Sequence, residues 1–196
     1  MHRELHTLSR PYDCISRYIE TPVVLRNLAT GQELRTLGIW DTGATGCVIS
    51  EDAANNLGLI PIGQKETRGI SGGRMSNVYY INITLNNDQI SLNARVTDCD
   101  RLSDDGSIGL LIGMDIITLG DFYVSNYQGR TVMTFRVPSL ESRDFTAEIN
   151  LLKRYKVIHD AQLRQGNKKC PCGSGKNWEQ CHEKQLKELS QLLNNS

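Results

Sequence analysis

Apolar and polar residues alternate along much of the first two thirds of the chain, with the short period typical of β-strands. The segment "TPVVLRNLATGQELRTLGIW" (21–40) has two such runs on either side of Thr30-Gly31, which predicts a β-hairpin. Similar runs predict three further strands, in "VYYINITL" (78–85), "ISLNARVTD" (90–98) and "GRTVMTFRV" (129–137). The pattern therefore predicts a mainly β fold over residues 14–137.

Helical signals interrupt and then follow this β pattern. In "SEDAANNLGL" (50–59), Ser50 is a suitable N-cap and Gly58 a suitable stop, so a short helix is predicted between them. Between Arg143 and Gln165 there is no proline or glycine, and apolar residues recur at helical spacing. This second segment is predicted to be a helix that links two units.

Length and charge exclude several classes of protein. A chain of 196 residues allows one domain, or a domain with a small appendage. The formal net charge is zero, so no basic field points to nucleic acid as a partner. No stretch approaches the roughly 18 apolar residues of a membrane span, and the N-terminus lacks the apolar core of a signal peptide. These features predict a cytoplasmic protein.

The six cysteines are unevenly distributed, and three of them lie within twelve residues. The segment "CPCGSGKNWEQCH" (170–182) has a C-x-C pair, eight residues, and then Cys-His. In a reducing compartment such a cluster predicts a metal site rather than disulfides. Three thiolates and one imidazole form a complete tetrahedral set for a structural zinc ion, with these ligands: Cys170, Cys172, Cys181 and His182.

A single carboxylate lies at the end of an apolar run in "GIWDTGATGCVIS" (38–50). Asp41 follows Ile39 and Trp40, which favour a buried strand, and small residues follow it. Gly43 permits a tight turn and the close approach of another chain. Because no basic residue is adjacent in sequence, a structural ion pair is a poor explanation for Asp41. The surroundings suit a carboxylate that a substrate must reach.

Peptide hydrolysis by carboxylates needs two of them. Two carboxyl groups at about 3 Å share one proton, because both cannot ionise so close together. The ionised one takes a proton from a water molecule, and the protonated one hydrogen-bonds the scissile carbonyl. The chain contains no second D-T-G or D-S-G after an apolar pair. A catalytic Asp41 would therefore have to pair with the Asp41 of a second copy.

Three motifs in order resemble the retropepsin-like aspartic proteases. "IWDTGAT" (39–45) is similar to their active-site strand and turn, "RGISGGRMSN" (68–77) to their flap hairpin, and "LLIGMDII" (110–117) to their second apolar-apolar-Gly motif. The resemblance covers about residues 12–139. It implies a single-lobe acid-protease β-barrel, followed here by the linking helix and a small zinc module.

The same resemblance implies an aspartic endopeptidase that acts as a homodimer on peptide or protein substrates. Each chain would supply one catalytic Asp41, Thr42 would lock the two active-site loops together, and Gly43 and Ala44 would support the loop and the cleft. The flap would close over the peptide with these residues: Gly69, Ile70, Ser71, Gly72 and Gly73.

The chain departs from the viral members of this family in two ways. Viral members have an arginine after the glycine of the second motif, where this chain has Met114. Viral dimers are also tied by terminal strands, whereas this chain continues into a long helix, so its dimer contact is expected to differ. Asp115 is predicted to be structural, since an acid at a helix start is favoured by the unpaired amides there.

The tail resembles the SEC-C motif, a small zinc-binding module found in many bacterial proteins. The match covers about residues 167–184 and implies docking of the protease to a protein partner. The expected organisation is an N-terminal segment (1–11), a protease domain (12–139), a helical linker (140–166) and a zinc module with a C-terminal helix (167–196).

Several alternatives to this interpretation remain open. Asp-Thr-Gly is also good turn chemistry, so Asp41 could simply begin a turn. A phosphoaspartyl transferase also places Asp at a strand end, but it usually needs a second Asp two residues later, where this chain has Gly43. The chain could also be a non-catalytic adaptor that keeps the protease fold, or a protease restricted to autoprocessing. The leading interpretation is a cytoplasmic, bacterial-type aspartic endopeptidase.

Overall fold

A computed structural model describes residues 4–69, 72–85, 89–165, 168–184 and 187. The chain divides into two compact units, Met1–Leu140 and Glu141–Ser196. The flap residues Ile70 and Ser71 lie outside the described residues, and so does the part of the predicted C-terminal helix from residue 188 onwards. Within the described residues, no helix combines the length and apolar character needed to cross a membrane.

The first unit consists mainly of strands, as the alternating pattern predicted. Its described strands are β1 (His6–Pro11), β2 (Glu20–Asn27), β3 (Glu33–Trp40), β4 (Val48–Ser50), β5 (Gly63–Gly69), β6 (Gly72–Leu85), β7 (Ser91–Cys99), β8 (Ile108–Ile112), β9 (Asp121–Ser125) and β10 (Val132–Val137). Its two short helices are α1 (Glu51–Asn56) and α2 (Met114–Ile117).

Six strands close into a barrel in the order β2-β3-β8-β4-β7-β6, with β6 returning to pair with β2. The β3–β8 and β4–β7 pairs are parallel, and the other pairs are antiparallel. Closure removes the free edges of the sheet, and the inward residues of successive strands fill the interior. Fully buried aliphatic side chains line it, among them Leu25, Ile49, Ile81, Ile83, Leu110 and Ile112.

Two local predictions in the first unit are confirmed. β2 and β3 pair as an antiparallel hairpin, and Gly31 in the turn has a φ of 77°, which glycine adopts without steric cost. Helix α1 begins after Ser50, whose side chain accepts a hydrogen bond from the Ala53 amide. Gly58 follows the helix with a φ of 58°.

A separate three-stranded sheet has β10 between β1 and β9. β1 pairs along its whole length with β10, although its sequence gave no strand signal and it begins before residue 12. Trp40, the last residue of β3, packs against this sheet, with its ring 5.2 Å from that of Phe122 and 5.1 Å from that of Phe135. Its indole N–H donates to Thr21 Oγ1 at 3.0 Å. The strand end next to Asp41 is therefore fixed on both sides.

The second unit contains α3 (Phe145–Gln165), which is the helix predicted from the residues without glycine or proline. A π-helical turn follows at Glu179–Glu183. The ring of His159 on α3 lies 5.7 Å from that of Trp178, and Trp178 in turn stacks near His182 at 6.3 Å. These rings join the helix to the cysteine-rich segment within this unit.

Candidate active site and metal centre

Asp41 begins the loop that joins β3 to β4, and its carboxylate is half-buried. Its Oδ1 accepts a hydrogen bond from the Gly43 amide at 2.7 Å. A Cβ on residue 43 would lie 3.1 Å from that oxygen, so glycine keeps the contact free of crowding. The side chain of Thr42 is exposed and forms no hydrogen bond within the described part of the chain. The loop thus presents one oriented carboxylate and one free hydroxyl.

The second apolar-apolar-Gly motif (110–117) is hydrogen-bonded to both ends of this loop. The Asp41 amide donates to the Ile112 carbonyl at 3.0 Å, and the Met114 amide donates to the Ala44 carbonyl at 2.8 Å. These two bonds join the ends of the D-T-G-A sequence to the last residue of β8 and the first residue of α2. The apolar-apolar-Gly motif therefore positions the candidate catalytic loop.

Asp115 also acts on this loop. Its Oδ2 accepts from the Cys47 amide at 3.1 Å, and its Oδ1 accepts from the Cys47 thiol at 3.1 Å. Burial raises the pKa of the Cys47 thiol well above its ordinary range, so the thiol remains a donor. Oδ1 also accepts from the Ile116 amide in the first turn of α2. Asp115 therefore lies in the first turn of α2 and also fixes the end of the candidate catalytic loop.

The predicted flap is the hairpin of β5 and β6, whose pairing extends to Gly69 opposite Gly72. Gly72 has a φ of 113°, a conformation that favours glycine. Gly73 lies opposite Arg68, and a Cβ there would be 3.0 Å from Glu66 Oε1. Glycine thus suits residue 72 because of its positive φ, and residue 73 because a Cβ there would crowd Glu66.

A polar cluster at the base of the flap was not found from the sequence. Buried Asp98 on β7 accepts from the amide and the side-chain nitrogen of Asn77 at 2.9 and 2.8 Å. It also accepts from Arg74 at 3.4 Å, and Arg74 pairs with exposed Asp100 as well. The hydrogen bond that Arg74 donates to Asp100 raises the pKa of Arg74. The signal available in the sequence was the position of Asp98. It lies two residues after Val96 and therefore on the same face of β7, where a buried acid needs partners.

A cleft of about 980 Å³ lies between the candidate catalytic loop, the hairpin of β5 and β6, and β7. It begins at Gly43, two residues from Asp41, and reaches Cys99 at the end of β7. Its volume falls within the range usual for ligand sites. The cleft is therefore a candidate site for a peptide next to the carboxylate.

The four predicted metal ligands converge in the second unit. The donor atoms of Cys170, Cys172, Cys181 and His182 all lie within 4.8 Å of one another. The Cys172 and Cys181 sulfurs are 3.7 Å apart, close to the spacing of about 3.8 Å for two thiolates on one tetrahedral zinc ion. The Cys170 sulfur lies 3.2 Å from Nδ1 of His182. The donor set and its geometry fit a structural zinc ion with no open position.

Local backbone structure brings these ligands together. Lys169 and Asn177 form a β-bridge, and the Cys170 amide donates to the Lys176 carbonyl at 2.9 Å. Gly173 and Gly175 form the turn with φ values of 80° and 73°. Hydrogen bonds from Ser174 lower the pKa of Cys172 to about 7, whereas burial raises the pKa of Cys170 to about 11.

Comparison with known proteins identifies both parts of the chain. Residues 29–116 match the family model described as aspartyl protease, and residues 167–184 match the SEC-C motif. The chain therefore carries an aspartyl protease family segment followed by a SEC-C motif, as the sequence motifs indicated. No curated protein is similar enough in sequence to count as a match.

Three solved structures are similar to this chain at low identity. A retropepsin-like aspartic protease from Rickettsia conorii is 13% identical, with a TM-score of 0.43, 70% of this chain covered and 98% of that one. The EIAV protease complexed with the inhibitor HBY-793 is 18% identical, with a TM-score of 0.42, and the match covers 54% of this chain and 89% of that one. The retroviral protease-like domain of Ddi1 from Leishmania major is 14% identical, with a TM-score of 0.37, and the match covers 66% of this chain and 99% of that one.

Proposed function

We propose that the chain is a cytoplasmic aspartic endopeptidase that acts as a homodimer. The observation that carries the proposal is the single Asp41-Thr42-Gly43 loop, pinned through Ile112, Met114 and Asp115, at the mouth of a peptide-sized cleft. The family match over residues 29–116 supports this chemistry. Because the chain has one such loop, the second carboxylate comes from the Asp41 of the partner copy.

The proposed reaction needs no covalent intermediate. The two Asp41 carboxyl groups share one proton, and the ionised one takes a proton from a water molecule between them. The water oxygen then adds to the scissile carbonyl carbon, while the protonated carboxyl group hydrogen-bonds the carbonyl oxygen. A proton is finally transferred to the amide nitrogen, and the C–N bond breaks. The Gly43 amide, which donates to Asp41 Oδ1, keeps each carboxylate oriented throughout.

The exposed Thr42 hydroxyl supports the dimer. It lies next to Asp41 with no hydrogen-bond partner among the described residues, so it is free to donate to the loop of a second copy. Such a contact would hold the two carboxylates at a fixed separation. We further propose that the SEC-C module holds one structural zinc ion per chain and docks the protease to a protein partner or substrate.

The experiment compares the full-length wild type with Asp41→Asn on a mixed peptide library between pH 4 and 8, with products identified by mass spectrometry. Asp52→Asn, the same change at an exposed acid of α1, is the matched control. Cleavage by the wild type and by Asp52→Asn, with none by Asp41→Asn, supports the proposal. Cleavage that survives in Asp41→Asn contradicts it, and no cleavage by the wild type favours a non-catalytic adaptor.

A further inference from the structure

The charged side chains that line the cleft are mostly basic. Four cationic residues face it: Lys65 and Arg68 on β5, Arg74 on β6 and Arg95 on β7. Among the described residues, the acidic ones that line it are Glu66 and Asp98. The formal charge of the lining is therefore positive, although the whole chain has a net charge of zero.

Both acidic residues of the lining already have cationic partners. Asp98 is paired with Arg74 at 3.4 Å, and Glu66 lies 3.6 Å from Arg68. In the described part of the chain, Lys65 and Arg95 have no carboxylate within 4.0 Å and make no side-chain hydrogen bond. The positive excess of the cleft is thus located on these two side chains.

Strand register places Lys65 and Arg95 on one face of the sheet. Gly63 lies opposite Val78, and Val78 lies opposite Thr97, so these three residues point to the same face. Lys65 is two residues after Gly63, and Arg95 is two residues before Thr97, so both return to that face. The opposite face is the barrel interior, which contains Val96 at 0% exposure. Both cations therefore project from the outer face that borders the cleft.

We propose that Lys65 and Arg95 are specificity-determining residues that select peptides with an acidic side chain in the segment bound in this cleft. The inference rests on the proposed function and names its substrate class. A carboxylate of the peptide would accept charge-assisted hydrogen bonds from the ammonium and guanidinium groups, and these bonds are roughly twice as strong as neutral ones. A neutral side chain would leave both cations without a partner.

In the proposed homodimer, this selectivity applies equally on the two sides of the scissile bond. A two-fold axis through the paired Asp41 residues places one such cleft on each side of the scissile bond. Peptides with Asp or Glu at corresponding positions on both sides of the cleaved bond are therefore the preferred substrates.

The experiment uses two synthetic dodecapeptide pools that differ only in having Glu or Gln at the same positions. Initial cleavage rates of both pools are measured for the full-length wild type, for Lys65→Glu/Arg95→Glu and for Arg35→Glu. Arg35 is an exposed cation of β3 outside this cleft, so its reversal makes a control for overall charge. Capture of both pools by immobilised Asp41→Asn provides a readout that does not depend on turnover.

We expect the wild type and Arg35→Glu to prefer the Glu pool by about fivefold or more, the scale of a partly exposed charge pair. The double variant should lose or reverse this preference while keeping the wild-type melting temperature, because both side chains are exposed. Equal cleavage of the two pools by the wild type overturns the inference and leaves the proposed function intact. If the wild type cleaves neither pool, the proposed function fails and the capture experiment tests the inference. Preferential capture of Glu peptides by Asp41→Asn then supports the inference. Equal capture of the two pools, or no capture, overturns the inference as well.

Discussion

Gly113 of the second apolar-apolar-Gly motif lies against the backbone of Gly46 in the loop that joins β3 to β4. A Cβ added to Gly113 would be 2.6 Å from both the carbonyl carbon and the carbonyl oxygen of Gly46. The obstacle is backbone, which cannot move aside as the end of a flexible side chain can. This close approach allows the Met114 amide to reach the Ala44 carbonyl and thereby fixes the loop that carries Asp41.

Gly113→Ala is expected to lower the free energy of unfolding by about 1–3 kcal/mol, the usual cost of overpacking a well-packed site, and to abolish peptide cleavage. Urea unfolding and the peptide-library assay measure the two effects. Gly63→Ala is the matched control, because a Cβ at residue 63 meets no atom within 4 Å. A Gly113→Ala protein with wild-type stability would contradict the close packing of the two motifs.

The hydrogen bonds of Asp115 to Cys47 give a second prediction. Asp115→Ala leaves the buried Cys47 amide and thiol without an acceptor, and is expected to cost about 1–3 kcal/mol of stability. Asp115→Asn keeps one oxygen that can accept from the Cys47 amide, so it should retain more of the stability and activity. Equal unfolding free energies for Asp115→Ala and the wild type would show that the carboxylate does not hold the loop.

The flap base gives a third prediction through Asp98 and Asp100. Asp98→Ala removes the buried acceptor of two Asn77 hydrogen bonds and is expected to cost about 1–3 kcal/mol, because half-buried donors lose their partner. Asp100→Ala removes only an exposed partner of Arg74, so a change below about 1 kcal/mol is expected. Chemical denaturation of the two variants compares them directly, and a larger loss for Asp100→Ala would refute this ranking.

Asp121 gives a fourth prediction, on pH. Hydrogen bonds from the Ser139 hydroxyl, the Leu140 amide and Arg136 hold the pKa of this carboxyl well below its ordinary value of 3.8. A carboxyl group with a depressed folded-state pKa stabilises the fold above its unfolded-state pKa, and this contribution is lost as pH falls through the folded-state pKa. Unfolding free energies measured between pH 7 and pH 2 should therefore fall below about pH 4 in the wild type. Asp121→Asn should be less stable at pH 7 and show a smaller further loss in acid, and identical pH profiles would contradict the assignment.

The metal centre gives a fifth prediction. Full-length wild type is expected to contain about one zinc ion per chain, and Cys172→Ser or His182→Ala should lower this content because each removes one of four ligands. Cys14→Ser is the control, since Cys14 is an exposed cysteine outside the cluster. Elemental analysis of the purified proteins measures the content, and unchanged zinc in Cys172→Ser would refute the ligand set.

Local signals in the sequence predicted much of the fold. The hairpin of β2 and β3 and the helix after Ser50 both depend on residues close in sequence, whose turn and capping preferences are strong. β1 was missed because its residues, "HTLSRP", have few β-forming side chains. Its strand structure comes from pairing with β10, more than a hundred residues later.

The candidate site was predicted only where one motif contains the chemistry. Asp41 and the four metal ligands stand in short, recognisable patterns, and the structure brings the metal ligands together. The contacts between Asp115 and Cys47 and between Arg74 and Asp98 join residues that are 68 and 24 positions apart. Such contacts arise from barrel closure, which no local pattern encodes. That Lys65 and Arg95 have no carboxylate partner among the described residues could likewise be known only after their neighbours were placed.

The central claim is that two Asp41 carboxylates, one from each copy, form a single active site. The most direct measurement is the peptide-cleavage rate of a purified heterodimer with one wild-type and one Asp41→Asn chain, isolated through two different affinity tags. The wild-type homodimer carrying the same two tags is the reference. The account predicts that the heterodimer has no detectable activity, because its active site holds only one carboxylate. A heterodimer with half or more of the reference rate would contradict it, since each chain would then contain a complete site of its own.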